Sequence, residues 1–236
     1  MTSTPLSKLT ISLITLALLV SAGFAQGGER PMGSTRVENL FLLKFPNIQK
    51  EMGMSKAQID QMEKAYQVYR SAAEPIIKRI ESSGKPPTRA DENAMANHTN
   101  IFETRLMQIL NANQRRRLRE LSIQAGGTAM LLHPEISKQL KLTPQQISRL
   151  ETGIRNAVGR IQKVEENAAR QAGLTNEAEV RKLSEKELKA RVDRAGRIAK
   201  PQVDKIRTET RRQLLAILNQ SQRQQWTNMQ GKPFID

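Results

Sequence analysis

The chain has 236 residues, 38 basic side chains against 23 acidic ones, a formal charge of +15 and no cysteine. That excludes disulfides, thiolate metal sites and a Cys nucleophile, so the fold rests on packing alone. Aromatics are only 3% of the residues, a composition that suits long helices sharing a thin core better than a thick globule.

Residues 1–25 read as a secretory signal. Lys8 supplies the charged start and Leu9–Val20 an apolar run of 12, while Gly23 and Ala25 stand at −3 and −1 of a cleavage site before Gln26. The rival reading is a membrane anchor, but the run is short of the roughly 20 residues a span needs. Cleavage leaves an exported, periplasmic chain of 211 residues at +14, with no segment able to cross a membrane. Residues 26–41, with Gly27, Gly28, Pro31 and Gly33, read as a flexible leader. Leu40 to Phe45 and Pro46 to Met52 form a short apolar segment and a short helix. A long helix follows Ser55 to about Ile80, and Pro75 inside it is expected to kink or divide it. After a turn at 82–87, a second helix runs from Thr88 or Asp91 to Leu110, and a third from Asn111 to Gly126-Gly127. The order then recurs: a short helix from Pro134, a long one from Pro144, a break near Gly173, a long helix from Asn176 bent at Lys200-Pro201, and a last helix after Asn219. No strand pattern is present, so the expected class is all-α.

The recurrence is a duplication. At an offset of 88, Leu43 pairs with Leu131, Pro46 with Pro134, Ile48 with Ile136 and Gln58 with Gln146. The stripe Ile59, Met62, Tyr66, Tyr69, Ala73, Ile76, Ile80 pairs with Ile147, Leu150, Ile154, Ala157, Ile161, Val164, Ala168. Both stripes step by three and four, the apolar seam of an amphipathic helix. Further on the offset is 108, pairing Leu106 with Leu214, Gln114 with Gln222 and Leu118 with Trp226, so the second copy carries a 20-residue insertion between about 169 and 201. The expected units are residues 42–129 and 130–236.

Each copy contains two helix-start boxes: Met54-Ser55-x-x-Gln58 and Leu110-Asn111-x-x-Gln114, then Leu142-Thr143-x-x-Gln146 and Leu218-Asn219-x-x-Gln222. The spacing is that of a capping box. Ser55, Asn111, Thr143 and Asn219 accept from an orphan backbone N–H of the new helix, and the Gln reaches back to the cap N–H. Pro144 sits where the first helical residue needs no N–H.

Catalytic chemistry is not expected. His98 and His133 lack metal-ligand spacing to a second His or to paired carboxylates, and no Glu-x-x-His, Gly-x-Ser-x-Gly or phosphate loop is present. His133 reads as packing at a helix entry. Neither cofactor nor metal is expected. Residues 26–129 carry +5 and residues 130–236 carry +9. The excess concentrates in Arg115, Arg116, Arg117 and Arg119, where no acid intervenes before Glu120, and between Arg181 and Arg223. It is open to two readings: a surface attracting acidic partners, or a solvated face laced with pairs such as Glu177–Arg181, Glu185–Lys189, Glu187–Arg191 and Asp193–Arg197. Nucleic acid is a poor partner for an exported chain so short of aromatic stacking platforms.

The signal sequence, the basic all-helical chain and the paired boxes, nearest to the motif in Leu142-Thr143-Pro144-Gln145-Gln146, resemble the LTxxQ-motif (Spy/CpxP-like) family of periplasmic proteins. Met54-Ser55, Leu110-Asn111 and Leu218-Asn219 depart from strict Leu-Thr but remain sound caps. The resemblance implies helical hairpin units that pair into cradle-like dimers, here an elongated pseudo-dimer of two tandem units in one chain. It also implies ATP-independent chaperone or envelope-stress roles. The expected function is a holdase for unfolded or partly folded proteins, with Arg115, Arg116, Arg117, Arg119, Tyr66, Tyr69, Ile76 and Ile77 as candidate partner-binding residues. The alternative is a non-catalytic regulatory or structural protein docking onto an acidic envelope partner or anionic polymer. Both readings admit a homo-oligomer or a pseudo-dimeric monomer.

Overall fold

The structure is a computed structural model that describes residues 36–175, 177–180 and 182–234. The expected signal peptide, 1–25, and most of the leader lie outside these residues. The described residues contain helices and no strand, so the chain is all-α. Nine α-helices are present among them: α1 Pro46–Glu51, α2 Lys56–Ser83, α3 Arg89–Ile109, α4 Ala112–Gly126, α5 Pro134–Gln139, α6 Pro144–Gln171, α7 Glu177–Val180, α8 Glu185–Ile217 and α9 Gln220–Gln230. Short 3-10 helices, Leu40–Lys44 and Gly127–Leu132, precede α1 and α5. No described helix is long and apolar enough to cross a membrane.

The described residues divide into two compact units, 36–126 with 227–234, and 127–226. The internal boundary lies between residues 126 and 127, and residues 227–234 pack with the first unit. Gln124 fixes them there: its Nε2 donates to the carbonyls of Gln230 and Lys232, and its Oε1 accepts from the Phe234 N–H.

In the first unit α2 and α3 form a hairpin. Its core joins Leu40, Leu42, Leu43, Ile48, Met62, Phe102, Leu106 and Leu118, with a satellite of Ala73, Ile76 and Met95 toward the tip. The expected leader therefore ends early. Val37 and Leu40 are buried, Asn39 Oδ1 accepts from the Phe41 N–H, and the Asn39 N–H donates to Ser122 Oγ at 2.8 Å. Val37 and Leu40, four and seven residues beyond Gly33, suffice to dock this stretch.

In the second unit α6 and α8 form the hairpin. α6 matches α2 end for end at the offset of 88, both with 28 residues. The insertion lengthens the second helix to 33 residues from 21, and adds a longer connection containing α7. That connection folds onto the seam, burying Leu174 and Val180 against Ala168, Ala172 and Ala195. The break near Gly173 is as expected, but α8 does not start at Asn176. It starts at Glu185, capped by Ser184 in a box with Glu187.

Neither internal proline divides its helix: α2 runs through Pro75 and α8 through Pro201. A proline removes one N–H and frees the carbonyl four residues back. Here those residues, Ser71 and Arg197, are exposed like the prolines themselves, so water can take the bond.

Candidate functional site

The four boxes form as read. Ser55 Oγ and Thr143 Oγ1 each accept from the N–H of the Gln three residues on at 3.2 Å, and each Gln Oε1 accepts from the cap N–H at 3.0 Å. Asn111 with Gln114 and Asn219 with Gln222 make the same exchange. The two boxes of each copy also lock together, which the spacing alone does not show. Gln58 Nε2 donates to Gln114 Oε1 at 2.8 Å and Gln114 Nε2 donates back to Gln58 Oε1 at 3.1 Å. Gln146 and Gln222 repeat this at 2.8 and 3.2 Å. The remaining amide hydrogens serve helix ends: Gln58 donates to Ile109 O and Gln146 to Ile217 O, while Gln114 reaches Met52 O and Gln222 reaches Leu140 O. Each glutamine thus spends two donors and two acceptor positions, its full capacity, and each pair ties two helix starts to two helix ends. The boxes are the clasp at the base of each hairpin.

Three of the four candidate arginines belong to the same framework. Arg115 Nη1 donates to the Met107 and Leu110 carbonyls at the end of α3, and Arg223 makes the matching bond to Leu218 O. Arg117 pairs with Glu51 and Glu120 and donates to Lys232 O. Arg119 pairs with Glu38 at 3.0 Å. The acids that offset the cluster lie 66 and 81 residues upstream, so proximity in sequence hides them. The duplication carries a trace of the contact, since Gln225, matching Arg117, donates to the carbonyl of Gln139, matching Glu51. Only Arg116 is exposed, bonded to Asn113 of its own helix.

The apolar candidates also separate. Tyr66 and Tyr69 are half-buried in an aromatic cluster with Phe41 and Phe102, whose nearest ring centroids are 4.7 Å apart, and Lys44 Nζ stands 3.7 Å from the Tyr66 ring. Ile76 is buried. Ile77 is 43% exposed, and Val68, Ile101 and Val158, absent from the expected set, are 52%, 46% and 56% exposed. An expectation built on the inward stripe finds the core; the exposed residues lie off it.

The carboxylates' surroundings follow the same local order. Asp91, capping α3, has its pKa held down to about 2 by the Thr88 hydroxyl first and the Arg79 guanidinium second. Glu187 is lowered chiefly by Ser184, its box partner, with Arg191 a minor cause, so the cap rather than the expected i,i+4 pair governs it. Glu209 is lowered by its hydrogen bond from Arg160. Glu165, buried on α6 with Oε1 lacking a hydrogen-bond partner, is raised by desolvation that outweighs nearby Arg207. That group favours the fold at low pH and weakens it as pH rises through the elevated pKa. His133 stands at the start of α5 and accepts from the Glu135 N–H. Among the described residues no group of three or more His, Asp or Glu is placed to hold a metal.

No family model, no curated protein and no solved structure matches this chain.

Proposed function

We propose that this chain is an exported, ATP-independent holdase or envelope-stress protein that engages unfolded or partly folded proteins through basic and apolar helical surface, its two tandem hairpin units acting as a covalent pseudo-dimer. The observation that carries the reading is large apolar side chains left in solvent, Val68, Ile77, Ile101 and Val158, on helices of a chain at +15. Charge speeds encounter with clients of opposite sign, and exposed apolar surface holds what arrives. The resemblance to the LTxxQ-motif family supports the same reading from the boxes.

Light scattering of a reduced, aggregating client tests it. Suppression at stoichiometric protein is expected, weakening as salt rises. No suppression at low or moderate salt would overturn the reading. Salt-sensitive retention on an anionic resin, without binding of an apolar-surface dye, would favour docking onto an acidic envelope partner or polymer instead.

A further inference from the structure

The first hairpin carries a groove of about 380 Å³ between α2 and α3, lined on its apolar side by Ala65, Val68 and Ile109 and on its basic side by Lys64 and Arg105. Ile101, one turn before Arg105, extends the exposed apolar surface. Unlike Arg79, Arg117 or Arg160, which are spent on carboxylates, the side chains of Lys64 and Arg105 make no hydrogen bond or ion pair among the described residues.

The duplication supplies an internal control. The positions matching Lys64, Ala65, Val68 and Arg105 hold Thr152, Gly153, Asn156 and Gln213. There a Cβ added to Gly153 would lie 2.7 Å from Leu214 Cδ2, so the facing helix comes close at the position that matches Ala65. The second copy builds the same 28-residue helix and the same clasp without the groove's residues. The fold therefore does not require a valine and two unpaired cations at these positions.

We propose that this groove docks an acidic amphipathic helix: a client segment with apolar residues at i, i+3 or i+4, and i+7, flanked by Asp or Glu. A furrow between two antiparallel helices accepts the side-chain ridge of a third. Lys64 and Arg105 complement carboxylates beside that ridge and repel a basic segment, which gives the groove its selectivity. The inference rests on the holdase reading in taking the occupant to be a client segment.

Fluorescence anisotropy on the full mature chain tests it with two labelled peptides: one with a Leu ridge flanked by Glu, and its counterpart with Lys for every Glu. The Glu peptide binds wild type and the Lys peptide does not. The Lys64→Glu, Arg105→Glu double variant weakens the Glu peptide about tenfold or more and gains the Lys peptide, a reversal that misfolding cannot produce. Val68→Ser weakens the Glu peptide without altering the circular-dichroism melt. Should charge reversal disturb the helices, the Lys64→Gln, Arg105→Gln pair gives a smaller loss in the same direction. Equal binding of both peptides to wild type, or no change in either double variant, would overturn the inference. Aggregation assays separate it from the holdase reading. If wild type and the reversed variant suppress aggregation equally, the groove is refuted and the holdase stands. If wild type suppresses nothing yet binds the Glu peptide selectively, the holdase reading falls and the groove stands.

Discussion

At the scale of single residues, the clasp explains why glutamine occupies the fourth position of every box. A glutamate there would still accept from the cap N–H, but it donates nothing when ionised. Gln58→Glu leaves Ile109 O and Gln114 Oε1 without their donor and sets a charge against an amide oxygen. Each buried polar group left unserved costs about 1–3 kcal/mol, so urea melts should show a larger loss for Gln58→Glu than for Ser55→Ala, which removes only a cap worth about 0.5–2 kcal/mol. The boxes were legible in the sequence as separate caps; their mutual bonds were not, because 56 and 76 residues separate the partners. A second residue-scale feature precedes each first box. α1 and α5 end in matching turns, Met54 N–H to Gln49 O with Gly53 N–H to Lys50 O, and Leu142 N–H to Ser137 O with Lys141 N–H to Lys138 O. This is the left-handed helix stop usually given to glycine. Gly53 meets it at φ 58°, but Lys141 holds φ 49° with a side chain. Lys141→Gly should therefore raise the melting temperature, by up to about 1 kcal/mol of stability, since release of left-handed strain exceeds the entropy glycine adds to the unfolded chain. Gly53→Ala should lower stability by up to about 1 kcal/mol, the left-handed strain less the entropy that alanine removes from the unfolded chain.

At the scale of elements, helix identity and order could be read from the apolar stripes, while the ends depended on caps. The start of α8 was misplaced because Ser184-x-x-Glu187 lies inside a run of charged residues that also suits i,i+4 pairing; the serine decides it, since its hydroxyl serves the Glu187 N–H. The basic segment on α4 invites a functional reading for the opposite reason, that the acids satisfying it arrive from other elements. Arg117→Gln should accordingly destabilise the first unit, by about 1.5–3 kcal/mol for loss of a charge-assisted contact. Arg116→Gln, on the same helix but exposed, should stay within about 0.5 kcal/mol. Thermal melts of the two variants check the contrast, and equal effects would refute the division of the cluster. At the start of α3, Asp91 ties Thr88 and Arg79 together. A carboxylate with a depressed pKa stabilises the fold above its unfolded value and loses that contribution as pH falls through the folded value. The window runs from about 3.8 down to about 2. Asp91→Asn should melt below wild type at neutral pH, and the two curves should converge as pH approaches 2.

At the scale of the whole molecule, one plan is executed with two different cores. The first hairpin packs aromatics, with Phe41, Tyr66 and Tyr69 all set against Phe102. The matching positions of the second hold Ala129, Ile154, Ala157 and Thr210, and its seam is lined by Ala157, Ala168, Ala172, Ala195 and Ala199. Substituting small side chains for rings lets two helices keep a packed seam without voids, provided they approach more closely; Gly153 against Leu214 marks such an approach. The duplication was legible because caps and stripe recur at fixed offsets. The functional asymmetry was not, since it resides in outward positions that no periodicity marks. If the groove of the first hairpin depends on its side chains rather than on its backbone alone, its chemistry can be transplanted. Thr152→Lys, Asn156→Val and Gln213→Arg install the same basic and apolar set at the matching places of the second hairpin, on exposed or half-buried positions where substitutions cost little. Isothermal titration with the Glu-flanked peptide should then find two sites per chain where wild type has one, with Lys64→Glu and Arg105→Glu in the same chain returning the number to one. A count that stays at one in the triple variant would show that the Gly153–Leu214 contact closes the second furrow, and that shape as well as charge admits the helix.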